Sequence, residues 1–143
     1  MNPRARGGAP ATWRRDLIAA ARAVRRRAHA PYSGFAVGAA VLDDAGRISA
    51  ACNVENASYG LTVCAERNAV AAAVAAGARR IRAVAVVTGA RPPASPCGAC
   101  RQVLAEFGAD DMAVLLAPPT GAKAAATVEL ALGDLLPRAF RLR

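Results

Sequence analysis

Three cysteines and one glutamate carry the chemistry open to this sequence. Cys64-Ala65-Glu66 is followed, thirty-three residues after Cys64, by Pro96-Cys97-Gly98-Ala99-Cys100. A catalytic zinc takes three protein ligands and keeps a fourth position for water. Cys64, Cys97 and Cys100 can supply the three, so the expected cofactor is one Zn2+ per chain. Such an ion lowers the pKa of water to about 7. Glu66, two residues after the first ligand, is near enough to take protons from that water and deliver them to a reacting ring and its leaving group. The spacing points to zinc-activated hydrolysis.

The elements between these residues must bring them together. Residues 64–76 are rich in Ala, with Val70 and Val74 at helical spacing and Gly77 placed to cap the end. Ile81 to Thr88 has the β-branched character of a buried strand. Residues 98–107 read as a second helix ending at Gly108. Cys64 and Cys97 then fall at helix N-termini, where free N–H groups and the helix dipole favour thiolate. A lone C-x-x-C also serves redox and structural zinc sites. A structural site closes its shell with a fourth Cys or His. The remaining Cys52 and His29 fall in no paired ligand spacing. Cys52 reads as a buried hydrophobe and His29 as a cap at the end of the first helix.

A Cys or His two residues before Glu, followed by P-C-x-x-C, is the signature of zinc deaminases. The wider sequence sharpens that resemblance. Residues 31–40 (PYSGFAVGAA), 52–57 (CNVENA), 64–67 (CAER) and 96–102 (PCGACRQ) stand in this order. Together they closely resemble the small, homotetrameric cytidine deaminases, over roughly residues 12–140. The resemblance implies a five-stranded sheet in a three-layer α/β/α sandwich, three Cys ligands to zinc, and Glu66 as the proton shuttle. It implies that Phe35 packs near the pyrimidine, that the backbone of Ala65 contacts the base, and that Asn53 and Glu55 bind ribose hydroxyls. Two residues apart on a strand, Asn53 and Glu55 face the same side. It also implies that Tyr59 and Phe140 close the pockets of neighbouring subunits in a homotetramer with shared active sites. Arg67 is expected to offset the net negative charge of three thiolates on Zn2+. Arg101 and Gln102 are further candidates for supporting the metal site.

Composition agrees. At 143 residues with 55% hydrophobic content, residues 12–143 suffice for one globular domain with a core. Residues 1–11 (MNPRARGGAPA) read as a flexible basic leader. No run of 18 apolar residues escapes a charge, so no membrane span is expected. Arg4 and Arg6 precede no apolar stretch, so no secretory signal is expected. Three Cys in metal spacing suit a reducing compartment, the cytoplasm.

A net charge of +9 raises the question of nucleic acid. Six arginines crowd the first predicted helix, residues 12–28, whose apolar face is Trp13, Leu17, Ile18, Ala21, Val24 and Ala28. Most of the arginines fall on the opposite face, as on any solvated helix. Aromatic residues are only 4% of the chain, leaving few platforms for stacking bases. No specific nucleic-acid partner is expected.

Beyond that helix, strands are predicted near 36–42 and 47–53, joined by a turn at Asp43-Asp44-Ala45-Gly46. Further strands are predicted at 83–88 and 113–117, with a strand or turn near 126–132. The pattern suggests a mixed sheet with helices on both faces. The expected activity is hydrolytic deamination of cytidine and 2′-deoxycytidine. The alternatives are a deaminase of a modified aminopyrimidine nucleoside such as blasticidin S, a nucleic-acid deaminase, and a non-enzymatic zinc-binding interaction module.

Overall fold

In the computed structural model, residues 12–121 and 126–142 are described. The predicted leader, residues 1–11, lies outside them. Helix α1 (Trp13–Arg25) leads into a hairpin of β1 (Gly38–Asp43) and β2 (Ile48–Cys52). There follow α2 (Ala65–Ala75), β3 (Ile81–Val87), α3 (Gly98–Phe107), β4 (Ala113–Ala117), β5 (Val128–Ala131) and a short α4 (Leu132–Leu135). The strands form one mixed sheet in the order β2-β1-β3-β4-β5. Only β3 and β4 run parallel, joined through α3; the other pairs are antiparallel.

The central strands β1, β3 and β4 are buried on both faces because helices cover both. Ala39, Val41, Val84, Val86, Val114 and Leu116 pack with Ala69 and Val70 of α2 and Leu104 of α3. The alternate residues Ala40, Leu42, Ala83, Ala85, Val87 and Leu115 meet Leu17 and Ala21 of α1 on the other face. The result is the three-layer α/β/α sandwich expected. The alanines on the second face let α1 come close. A Cβ at Gly38 would lie 2.0 Å from the Ala21 carbonyl oxygen and 2.8 Å from Arg25 Cβ.

Loop chemistry sets the ends of the elements. Asp43 Oδ1 accepts from the backbone N–H groups of Ala45 and Arg47, and Gly46 takes φ +85° in the hairpin turn. Gly77, at φ +102°, ends α2 as expected. Its N–H donates to Val74 O and that of Ala78 donates to Ala73 O, the paired bonds of a Schellman cap.

Three expectations need correction. Helix α1 stops at Arg25, not at 28, because Arg27 N–H and Ala28 N–H donate to carbonyls only three residues back. The tightened turn frees His29 to pair its backbone with Asn53 and Glu55 (N–H to Asn53 O, 3.0 Å; Glu55 N–H to its own carbonyl, 2.8 Å), so it does not cap the helix. Secondly, three of the four arginines of α1 make anchoring bonds, two of them, Arg22 and Arg25, from half-buried positions. Arg14 forks onto Glu129 through two 2.8 Å bonds, Arg22 donates to Pro118 O and Thr120 O, and Arg25 to Ala36 O. Thirdly, the strand or turn expected near 126–132 is strand β5, as read, but it runs into helix α4, where no helix was expected.

Candidate active site

Two helix N-termini meet at one end of the first face. Cys64 is the N-cap of α2 and Cys97 the N-cap of α3, both in extended backbone, and neither thiol is used in capping. Cys100 follows one turn into α3 and is fully buried. The three sulfurs lie within 4.8 Å of one another, with Cys64 to Cys97 at 3.9 Å and Cys97 to Cys100 at 3.5 Å. Tetrahedral zinc with Zn–S bonds of about 2.3 Å requires sulfur separations of about 3.8 Å. The donor set and its spacing therefore fit zinc, and all four cysteines are free thiols.

The electrostatics of the cluster also call for a cation. A hydrogen bond from Cys100, helped by Arg67 against the cost of burial, pulls the Cys64 thiol down to about 5. The same bond holds the proton on Cys100, and burial and the Glu66 charge push its pKa up further. Three thiolates gathered here would repel one another, and a cation among them would offset that repulsion. Arg67 places Nη2 3.7 Å from Cys64 Sγ and 3.4 Å from Thr62 O, while its buried Nε has no partner. The sequence-predicted guanidinium is thus at the sulfurs.

Glu66, only 5% exposed, projects toward the same cluster. Its Oε2 accepts from Cys100 Sγ at 3.7 Å. Burial pushes its pKa above the ordinary carboxylate range, and the Cys64 charge adds to this. A carboxyl that burial shifts upward beside the sulfurs suits proton transfer.

Two cavities adjoin. The smaller, about 180 Å³, is walled by Phe35, Val37 and Val86 and bounded by Asn53, Ala65, Glu66, Cys64 and Cys97. The larger, about 350 Å³, is lined by Tyr32, Ser33, Glu55, Tyr59 and Thr62. It holds no sulfur, so the smaller cavity is where the chemistry can occur. Thr62 borders both.

Asn53 borders the smaller cavity and Glu55 the larger, with the exposed Val54 between them. Both side chains already serve the fold. Asn53 Oδ1 accepts from Val37 N–H and its Nδ2 donates to Phe35 O, leaving one donor and one lone pair for the cavity. Glu55 accepts from the Ser33 hydroxyl and the N–H groups of Tyr32 and Ser33. The Ser33 hydroxyl contributes most to holding its carboxyl below the ordinary range.

Other expected residues stand further off. Arg101 touches no sulfur and instead donates to Pro96 O and Leu135 O, and Gln102 donates to Phe140 O. Tyr59 meets the ring of Tyr32 edge-on at 5.7 Å and is 74% exposed; Phe140 lines neither cavity and is 70% exposed. Ser33, Thr62 and Thr88 were not expected. Thr88 is buried at the cavity wall, its Oγ1 accepting from Ala90 and Ala94 N–H. A lone hydroxyl ending an apolar strand was the available signal for it.

Residues 11–116 match the model of the family described as the cytidine and deoxycytidylate deaminase zinc-binding region. The chain belongs to this family. The matched span contains all three sulfurs, Glu66, Asn53 and Glu55, and excludes Phe140. The chain is 48% identical over 124 residues to a cytidine deaminase of Sporosarcina psychrophila, covering 87% of this chain and 88% of that one. It is 49% identical over 115 residues to a cytidine deaminase of Mycobacterium tuberculosis, covering 80% of each. The crystal structure of cytidine deaminase from Burkholderia pseudomallei superposes with a TM-score of 0.81 at 48% identity, covering 88% of this chain and 98% of that one. That of the M. tuberculosis enzyme superposes at 0.75 and 44% identity, covering 90% and 97%. Family membership and the three-sulfur cluster agree on a single zinc site per chain.

Proposed function

We propose that this chain is a zinc-dependent cytidine deaminase, converting cytidine and 2′-deoxycytidine with water to the uridines and ammonia in pyrimidine salvage. The observation that carries the reading is a buried carboxyl, Glu66, beside three sulfurs spaced for zinc at the floor of one cavity. Cys64, Cys97 and Cys100 would hold zinc, which would supply Lewis acidity to activate the attacking water. Glu66 takes a proton from that water and delivers it to N3 of the ring. Attack at C4 gives a tetrahedral adduct, which the site binds more tightly than substrate. Glu66 then hands the second proton to the amino group, which leaves as ammonia. Phe35 packs on the pyrimidine, the Ala65 backbone contacts the base, and Asn53 and Glu55 hold the sugar hydroxyls.

The proposed assembly is a homotetramer in which Tyr59 and Phe140 close neighbouring pockets. Their exposure supports this: each is a large aromatic surface with little of its own subunit to cover it. Among the described residues no helix is long and apolar enough to cross a membrane; we place the enzyme in the cytoplasm.

A panel of substrates assayed by loss of cytidine absorbance tests the reading. Cytidine and 2′-deoxycytidine should turn over, while free cytosine should be poor, because it makes none of the sugar contacts that Asn53 and Glu55 offer. Cytidine monophosphate should also be poor, since its phosphate would meet the Glu55 carboxylate. Comparable kcat/KM for cytosine, cytidine and cytidine monophosphate would contradict it.

A further inference from the structure

Arg101 and Gln102 follow the buried Cys100 directly, yet neither side chain turns to the sulfurs. The Arg101 guanidinium spans two segments. Nε donates to Pro96 O at 2.7 Å and Nη2 to Ser95 Oγ at 3.0 Å, gripping the two residues before Cys97. Nη1 donates to Leu135 O at 2.7 Å, at the end of α4. One planar group thereby joins the metal loop to the start of the C-terminal segment.

That segment is held twice more along α3. Gln102 Nε2 donates to Phe140 O at 3.0 Å. Arg141 reaches the last carbonyls of the helix, those of Ala105 and Gly108, and the Asp110 carboxylate at 3.1 Å. Between these anchors Arg138 adopts φ 57°, the only positive φ outside glycine among the described residues. A non-glycine residue keeps such a conformation only where its surroundings over-determine it. The anchored tail shows its large apolar groups to solvent: Phe140 is 70% and Leu142 88% exposed. A backbone fixed this firmly around an uncovered ring is preorganised to present it.

We propose that Arg101 is a positioning residue coupling the metal loop to the C-terminal tail, so that metal retention and the presentation of Phe140 depend on one guanidinium. This rests on the zinc and Phe140 assignments proposed above. Gln102 serves the tail alone: among the described residues its side chain bonds only to Phe140 O.

The test uses the zinc-loaded full chain and reads three quantities. They are the rate of zinc release to a chelator, hydrogen exchange in the peptide spanning 136–142, and KM against kcat for cytidine. Arg101→Ala should speed both zinc release and tail exchange by at least tenfold. Gln102→Met should speed tail exchange and raise KM with kcat and zinc release unchanged. Arg101→Lys, which keeps the charge but not the fork, should fall between Arg101→Ala and the parent and serves if Arg101→Ala does not fold. Chelating zinc from the parent protein should itself speed tail exchange. KM effects of Arg101→Ala and Phe140→Ala should be sub-additive in the double variant. Unchanged tail exchange in folded Arg101→Ala or Arg101→Lys would overturn the coupling, as would additive KM effects. If Phe140→Ala alone leaves KM unchanged, the Phe140 assignment fails, while the zinc-release and exchange measurements still decide the coupling.

Discussion

Unlike Asp43, the other buried carboxylate among the described residues, Glu66 has no ion pair. Its neighbours are a thiol at 3.7 Å and, beyond it, sulfur charge, so burial leaves it ready to hold a proton. Glu66→Gln keeps the shape and removes the basic oxygen. The variant should retain zinc and bind nucleoside, while kcat falls by roughly 10²- to 10⁴-fold, the usual worth of a general acid–base. Stopped-flow binding alongside steady-state rates checks this; more than about a tenth of parental kcat would move the shuttle to another residue. Cys97→Ala should lose most bound zinc by metal analysis and unfold at lower temperature, since two sulfurs leave the shell incomplete. A full zinc complement in that variant would remove Cys97 from the ligand set. These residues were legible in the sequence because metal chemistry fixes residue type as well as spacing. Arg101 was named as a support for the metal site, but its bonds to Pro96 and Leu135 were not legible, because a guanidinium reaching backbone carbonyls leaves no trace in spacing.

At the scale of elements, the sequence disclosed what periodicity and turn chemistry control. The strand at 113–117, the Gly77 cap and the Asp43–Gly46 turn stand where the pattern puts them. What it concealed was set by tertiary contact. Helix α1 ends early because His29 is drawn into pairing with residues 53–55, and its arginines serve as anchors because carbonyls of distant loops lie within reach. Helix α4 is only four residues long, too short for any period to register. The β1–β2 turn carries a pH signature. Burial pushes the Asp43 carboxyl up, but the N–H groups of Arg47 and Ala45 and the Arg47 guanidinium outweigh it, and its pKa lies below the ordinary value. A folded pKa below the unfolded one, about 3.9, gives stability that is present above that value and lost as pH falls toward the folded one. Asp43→Asn should therefore destabilise the protein at neutral pH by about 1–3 kcal/mol. The gap from the parent should narrow below about pH 4. Urea melts at pH 7 and pH 3 measure it, and a gap independent of pH would assign Asp43 a purely steric role.

For the molecule as a whole, the unfinished surface lies around the two cavities and the C-terminal tail. Tyr32, Tyr59, Leu61 and Phe140 are each more than half exposed. A lone subunit would leave these apolar side chains wet and the larger cavity open. Four copies in D₂ symmetry can exchange such contacts reciprocally, so that every pocket is closed by residues it does not own. A ring of this size gains about 1.5–3 kcal/mol on full burial, which sets the expected penalty for removing it. Phe140→Ala should raise KM for cytidine roughly 10- to 100-fold, each 1.36 kcal/mol being a factor of ten. Light scattering should find the parent near four times the chain mass of 14.6 kDa. Removing residues 1–10 should alter neither the number of subunits nor activity, because every site residue named above lies beyond them. An active monomer would show that each pocket is complete within its own chain. An unchanged KM in Phe140→Ala would return that ring to the solvent, where a single subunit leaves it.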